Sequence, residues 1–527
     1  MDFLVHHMLR ASAARLPGKE ALVHGNRRLA YAEVWSQTGG VAQGLRNAGI
    51  ERGDRIGIYL DASIEQSISI FAISRAGGAY VPINGVLFPD QVGHIATDCR
   101  MRGLVTSAPK LESIAPILGS IPSLEFLIVT DSDGSARPPA GVTLPIHSYE
   151  ALAAAAPSGH ELEASISKDL AAILYTSGST GKPKGVMLSH ANVMAGATIV
   201  STYLEITEEE RILAVLPFSF DAGMNQIMTA FQRGATCVLK PFVFAREVVT
   251  ALRDEKITGL AGVPTLWSLL TQPSSSLHKS EYPHLRYITN TGGAMPQDVL
   301  AALRRMLPTT KIFLMYGLTE AFRSTYLPPS ELDRRPTSMG KAIPDTEIIL
   351  VDADGRRCGP GETGELVHRG PTVSMGYWGQ PELTAERLRP NPFVPVEVGT
   401  DEKVCYSGDL VRMDEDGFLY FVGRRDNMIK SSGFRISPTE VEEVIFQSGR
   451  VQMAAVIGVP DAVLGQSITA FVVPAEGNSL DAEALRVHCA EKMPAYMVPK
   501  VFEILDRMPR TSSGKVDYPS LRRRAGV

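Results

Sequence analysis

The stretch AAILYTSGSTGKPKGV, residues 171–186, sets how the rest of the chain is read. Ala171 to Tyr175 is an apolar run of strand character. Thr176 to Gly185 then collects hydroxyl residues, glycines and the two lysines Lys182 and Lys184. Glycine lets backbone N–H groups approach an anion closely, Thr176, Ser177, Ser179 and Thr180 add donors, and the lysines add positive charge. A buried strand opening into such a loop suits a polyphosphate, although a lone run of this composition also describes an ordinary surface loop. It is not the common NTPase loop. The pattern GxxxxGK[ST] needs Gly at 176, where Thr176 stands, and Ser or Thr at 183, where Pro183 stands.

Upstream of this stretch, strands and helices alternate. The apolar strand RIGIYL (55–60) leads to a periodic helix from Ile64 to Arg75, with Ser63 and Gln66 spaced as a capping box, and then to the strand AYVPI after Gly77-Gly78. A helix near Asp90 to Asp98 and strands at Gly103–Thr106 and Leu124–Thr130 repeat the pattern, which predicts helix-covered sheets. Asp2 to Ala14 reads as a short amphipathic helix with Phe3, Leu4, Met8 and Leu9 on its apolar side. Clusters of Pro, Gly, Ser and charge predict surface loops at 131–141, 151–165, 272–283 and 389–403. Beyond the charged turn at Arg424-Arg-Asp426 lie about 100 residues with their own α+β pattern: helices at 437–447 and 481–492, strands at 453–459 and 467–473.

Composition narrows the function classes. The 527 residues are enough for several structural units and a sizeable core, which excludes a small disulfide scaffold. With 52 basic against 57 acidic residues, the net charge of −5 argues against a dedicated nucleic-acid binder. Cys99, Cys237, Cys358, Cys405 and Cys489 are scattered without a CxxC or a Cys/His ligand spacing, so neither a disulfide framework nor a zinc site is expected and a reducing cytoplasm is the simplest setting. No run of about 18 apolar residues is present, so no membrane span is expected.

Six further features appear in order. Thr291-Gly292-Gly293-Ala294 is a glycine turn, and Tyr316-Gly317-Leu-Thr319-Glu320 follows it. Tyr406-Ser-Gly-Asp409, Gly423-Arg424 with Asp426, Gly433-Phe-Arg435 and Pro509-Arg-Thr-Ser-Ser-Gly-Lys515 complete the series. Each residue alone has an ordinary reading, as a core tyrosine, a capping aspartate or a solvated lysine. Together with Tyr175 to Val186, they resemble the ordered motifs of the adenylate-forming superfamily, which contains acyl-CoA synthetases, amino-acid-adenylating domains and beetle luciferases. The resemblance covers essentially the whole chain.

That resemblance implies an α/β fold: a large N-terminal domain (1–422) of helix-covered mixed sheets plus a small β subdomain, a hinge (423–428), and a small mobile α+β C-terminal lid (429–527). It implies ATP, Mg²⁺ and coenzyme A as cofactors, with a small-molecule carboxylic acid as substrate and CoA or an acyl carrier protein as acceptor. The nucleotide would be held by Thr176, Ser177, Gly178, Ser179, Thr180, Gly181 and Lys184 at its phosphates. Gly292, Gly293, Ala294, Tyr316 and Gly317 would lie at the base, with Thr319 at the α-phosphate. Asp409 would bind the ribose, and Arg424, Gly433 and Arg435 belong to the hinge and the loop beyond it, Gly433 bordering the pantetheine channel. Glu320 would hold the metal. Lys515 would bridge carboxylate and phosphate, so Lys515, Glu320, Thr176 and Lys184 form the implied catalytic set, and the lid would rotate about Asp426 between the two half-reactions.

The acid itself stays open. Phe220, Asp221, Val263, Thr265, Trp267, Thr291 and Gly317 are the expected pocket residues. Phe220-Asp221 resembles the aromatic–Asp pair with which amino-acid-adenylating relatives meet an ammonium group. The carboxylate equally suits a substrate hydroxyl, or a cap on the helix from Ala222. The chain has no room for fused condensation and carrier modules, which favours a stand-alone AMP-forming acid:CoA ligase over an amino-acid-activating enzyme that loads a separate carrier. Fatty, aryl, hydroxy and amino acids, and the oligomeric state, are not distinguished.

Overall fold

A computed structural model describes residues 2–130, 139, 142–155, 165–176, 183–241, 244–399, 401–425, 428–431, 434–461, 464–475, 480–493, 495–511 and 514–527. The chain divides into two compact units: Met1–Thr176, Pro183–Glu347 and His368–Cys405 in one, and Ser177–Lys182, Ile348–Val367 and Tyr406–Val527 in the other.

The first unit is built on two mixed sheets. In the eight-stranded sheet, Arg55–Tyr59 lies between the parallel strands Ala79–Pro82 and Gly103–Ser107. Leu170–Thr176 and Lys184–Ser189 form an antiparallel pair near one edge, with the glycine- and lysine-rich stretch between them in sequence. The nine-stranded sheet carries the parallel core Lys311–Leu318, Tyr287–Asn290, Gly259–Gly262, Arg211–Ala214 and Thr236–Leu239, in that spatial order. Helices fill the space between: Phe71, on the helix Ile64–Ala76, meets Phe231, on the helix Asp221–Arg233, with ring centroids 5.0 Å apart. Since each helix follows a strand of a different sheet, that aromatic contact joins both sheets in one core.

A further sheet sets the strands Glu347–Val351, Thr363–Arg369, Lys403–Met413 and Leu419–Arg424 side by side, most of their residues in the second unit. The C-terminal part has a sheet of its own around the long antiparallel pair Val451–Asp461 and Gly465–Pro474. The helices Pro438–Phe446 and Ala482–Lys492 supply Val441, Ile445, Leu485 and Cys489 to a core with Val456, Ile468, Ala470 and Val472 of the sheet.

Three local expectations are corrected. The N-terminal helix runs Val5–Arg15 and buries Leu4, Met8 and Leu9, but Phe3 is 54% exposed and the helix instead buries His6 and His7. His6 Nδ1 lies 3.0 Å from Ser74 Oγ, and His7 Nδ1 accepts the Phe3 N–H, so polar partners make the burial of both rings affordable. The capping box at Ser63 is half formed: Ser63 accepts the Gln66 N–H, while the Gln66 amide donates to the Leu60 carbonyl. Within the expected loop 151–165, Tyr149–Ala154 is a helix. It fits because Gly40 and Gly44 present no side chain to it; a Cβ on Gly40 would lie 2.2 Å from the Leu152 carbonyl oxygen.

Candidate active site

In the nine-stranded sheet, four adjacent parallel strands end at one edge, the place where open α/β sheets bind ligands. Each is followed by expected site residues. Arg211–Ala214 leads to Phe220 and Asp221, and Gly259–Gly262 to Val263, Thr265 and Trp267. Tyr287–Asn290 leads to Thr291, Gly292, Gly293 and Ala294, while Lys311–Leu318 ends in Tyr316 and Gly317, then Thr319 and Glu320. Asn290, the last residue of its strand, pairs with Leu314, two residues before Tyr316, so the glycine turn and Tyr316 lie at the same end of adjacent strands. Gly292 has a φ of +79°, which a side chain would strain, and Asn290 Nδ2 ties the turn by donating to the Gly293 carbonyl at 2.9 Å. The turn residues 292–294 are exposed, while Thr291 is buried.

Glu320 is held from a distant segment. The Tyr377 hydroxyl donates to Glu320 Oε1 at 2.5 Å, and the Glu320 carbonyl accepts the Ser374 N–H at 2.9 Å. Burial, reinforced by the neighbouring Glu320 charge, pushes the Tyr377 hydroxyl well above the usual phenol range, so it stays a donor. Tyr377 pairs with Val186 and Trp378 donates to the Gly185 carbonyl, which fastens this segment to the strand that starts at Lys184. Thr176 faces Lys184 across the antiparallel pair. Ser177, Gly178, Ser179, Thr180 and Gly181 lie outside the described residues.

The proposed pocket residues differ in placement. Asp221 is the first residue of its helix, with Phe220 at the N-cap, and its Oδ1 accepts the Ala222 N–H at 2.7 Å. A carboxylate in a first helical turn is favoured by the helix dipole, which gives Asp221 a structural use of its own. Both residues are half-buried. Trp267 is 1% exposed with its ring against Gly262, where a Cβ would lie 2.5 Å from Cζ2. Val263 and Thr265 are half-buried at the start of that helix.

In the second unit Asp409 is buried and pairs with Arg424 across two strands, with Oδ1 and Nη1 3.3 Å apart. A neighbouring pair that no sequence motif announced, Glu365 and Arg425, braces them: Glu365 accepts from Arg425 at 2.8 Å and from the Gly408 N–H at 2.9 Å. Lys515 is exposed on a turn closed by its own carbonyl, which accepts the Thr511 N–H at 2.8 Å. Gly433 and Asp426 lie outside the described residues, as does the side chain of Arg435.

The chain matches the AMP-binding enzyme family over residues 9–378 and the AMP-binding enzyme C-terminal domain over residues 440–515. It is 32% identical to feruloyl-CoA synthase from Amycolatopsis sp over 518 residues, 97% of this chain and 96% of that protein. It is 30% identical to delta-poly-L-ornithine synthetase from Acinetobacter baumannii (strain AB307-0294), but spans only 36% of that protein's length. Among solved structures it resembles the anthranilate CoA ligase AuaEII in complex with anthranoyl-AMP, at 27% identity and a TM-score of 0.88, over 100% of this chain and 98% of the other. ATP-bound MatB from Rhodopseudomonas palustris matches at 26% identity and a TM-score of 0.87, over 99% of each chain.

Proposed function

Since the chain belongs to the AMP-binding enzyme family, we propose that it is an ATP-dependent, AMP-forming ligase that joins a small carboxylic acid to coenzyme A through an acyl-adenylate. The observation that carries this reading is the sheet edge where the glycine turn and Tyr316 lie at the same end of adjacent strands and the chain then turns through Thr319 and Glu320. It occurs in a chain that matches a feruloyl-CoA synthase from end to end.

In the first step a carboxylate oxygen attacks the α-phosphorus of ATP, the bond to pyrophosphate breaks, and a mixed anhydride with AMP forms. Two anions must meet, so the chain's task is to position them and offset their charge. Tyr316 stacks on the adenine beside Gly292, Gly293 and Ala294, Asp409 accepts from the ribose hydroxyls, and Thr176 to Lys184 grips the outer phosphates. Lys515 places a compact ammonium between carboxylate and phosphate, where charge is greatest at the transition state. Among the described residues no carboxylate pairs with Lys515, so that ammonium is available to an anion. In the second step the thiol attacks the carbonyl carbon and AMP departs.

Glu320 suits Mg²⁺. One oxygen is fixed by Tyr377, and the other has no hydrogen-bond partner among the described residues, a hard and oriented donor. When bound, the ion draws negative charge from the phosphate oxygens. In this reading the lid begins beyond a hinge over 423–428. No described helix is long and apolar enough to cross a membrane, and we place the enzyme in the cytoplasm.

The test separates the half-reactions. Lys515→Ala is expected to abolish acid-dependent ATP–pyrophosphate exchange while sparing thioester formation from a supplied acyl-adenylate. Equal loss of both would contradict the role given to Lys515.

A further inference from the structure

Arg323 stands at an irregularity in the sheet. Tyr316 pairs with Thr325 and Leu318 with Ala321, so the single residue Gly317 faces three residues, 322–324, of the strand Ala321–Leu327. At the centre of this bulge Arg323 adopts a φ of +55°, a left-handed conformation uncommon for a residue with a side chain. Gly317 makes room for it: a Cβ there would stand 2.8 Å from both Cα and N of Arg323. Bulges of this kind re-aim a side chain beside a functional site.

The re-aimed side chain is a buried cation. Arg323 is 4% exposed; its Nη1 donates to Thr291 Oγ1 at 2.6 Å, and its Nε has no hydrogen-bond partner among the described residues. No described carboxylate lies within ion-pair distance of it. A guanidinium does not lose its proton; the Phe322 ring, with its centroid 5.2 Å from Cζ, and the Thr291 hydroxyl offset part of the buried charge, and an anion would offset the rest. Four other polar atoms left without partners, Ser219 Oγ, Gln226 Oε1, Trp267 Nε1 and Asn290 Oδ1, belong to segments at the same ends of neighbouring strands, while Gln66 Oε1, Tyr80 Oη and Thr346 Oγ1 are examples elsewhere in the chain. Buried polar groups are normally satisfied, and this group of exceptions at one sheet edge leaves donors and acceptors for ordered water or a ligand to meet.

Resting on the ligase reading above, we propose that Arg323 binds a second carboxylate at the far end of the acid, so that the substrate class is dicarboxylic acids activated at one end. The reacting carboxylate is too distant to be that anion. It belongs at the Glu320 end of the turn, three residues before Arg323, whereas the Arg323 guanidinium is held away from that end at Thr291. Arg323 is thus a specificity residue, with Thr291 and Gly317 setting its position.

The experiment measures acid-dependent ATP–pyrophosphate exchange on the full chain with matched pairs, each a monocarboxylic acid and the dicarboxylic acid of equal carbon number, from four to ten carbons. The wild type is expected to favour the diacid in at least one pair. In Arg323→Gln the diacid:monoacid ratio of kcat/KM should fall by about 100-fold, mostly through KM, with Arg323→Lys recovering part of it. Preference for the monoacid in every wild-type pair, or an equal loss with all acids in the variants, overturns the proposal; the latter places the guanidinium at the phosphates. If Arg323→Gln does not fold, thermal shifts of the wild type with ATP decide instead: a larger rise with the diacid than with its matched monoacid supports the proposal, and equal rises overturn it. Absence of exchange with these acids and with aryl, hydroxy and α-amino acids overturns the ligase reading itself, whereas exchange with only the latter acids, or with an unmoved ratio, overturns only this inference.

Discussion

Replacing Tyr377 by Phe removes one hydroxyl and leaves the ring in place. That hydroxyl donates to Glu320 Oε1 at 2.5 Å, and Tyr377 is only 6% exposed. A hydrogen bond to a charged group contributes about 1.5–3 kcal/mol, which if expressed wholly in the transition state is roughly 10- to 150-fold in kcat/KM. Glu320 is half-buried, so water can take the vacated position, and the low end, about 10-fold, is expected. The loss should appear as a weaker Mg²⁺ dependence: the Mg²⁺ concentration for half-maximal pyrophosphate exchange should rise by about 3- to 10-fold, with the melting temperature nearly unchanged because the ring still packs. An unaltered Mg²⁺ midpoint together with a lowered melting temperature would refute the reasoning and make Tyr377 a purely structural residue.

Gly317→Ala places a methyl 2.8 Å from the backbone of Arg323, which cannot rotate away. The strain of overpacking, about 1–3 kcal/mol, should lower the melting temperature and, by moving Arg323, change acid selectivity; a variant unchanged in both would show that the bulge tolerates a side chain. Burial lifts the Glu442 carboxyl to about 7, beneath the Val456 N–H and the Tyr518 hydroxyl that it accepts. A carboxyl raised on folding favours the fold below its ordinary pKa and loses that advantage as pH climbs through the folded value. Glu442→Gln should therefore raise the melting temperature above pH 7, by about 1–3 kcal/mol of stability, and do little near pH 4.5; parallel melting curves across pH would contradict this.

What was legible in the sequence was local. The strand Arg55–Tyr59 and the helix Ile64–Ala76 follow from apolar periodicity and a Ser63 cap, and the small C-terminal sheet from its two long apolar strands. The motif residues on the nine-stranded sheet could be placed because each sits just after a strand, where the chain must turn. Their supports could not. Tyr377 is 57 residues from Glu320, and Arg425 is 60 from Glu365; such pairs leave no periodic trace in one sequence. Arg323 is silent in the sequence for a related reason: nothing in Ala-Phe-Arg-Ser announces a left-handed residue, and only the register slip opposite Gly317 makes it visible. The exposure of Phe3 is not legible in the same way, because its neighbours His6 and His7 find polar partners inside, which a hydropathy pattern does not anticipate.

The most direct measurement is pyrophosphate exchange into ATP over aliphatic, aryl, hydroxy, dicarboxylic and α-amino acids, with AMP release scored with and without CoA. A CoA ligase predicts exchange with unaminated acids in the absence of CoA and AMP release that CoA accelerates. Exchange confined to amino acids with CoA inert, or no exchange with any acid, would contradict it.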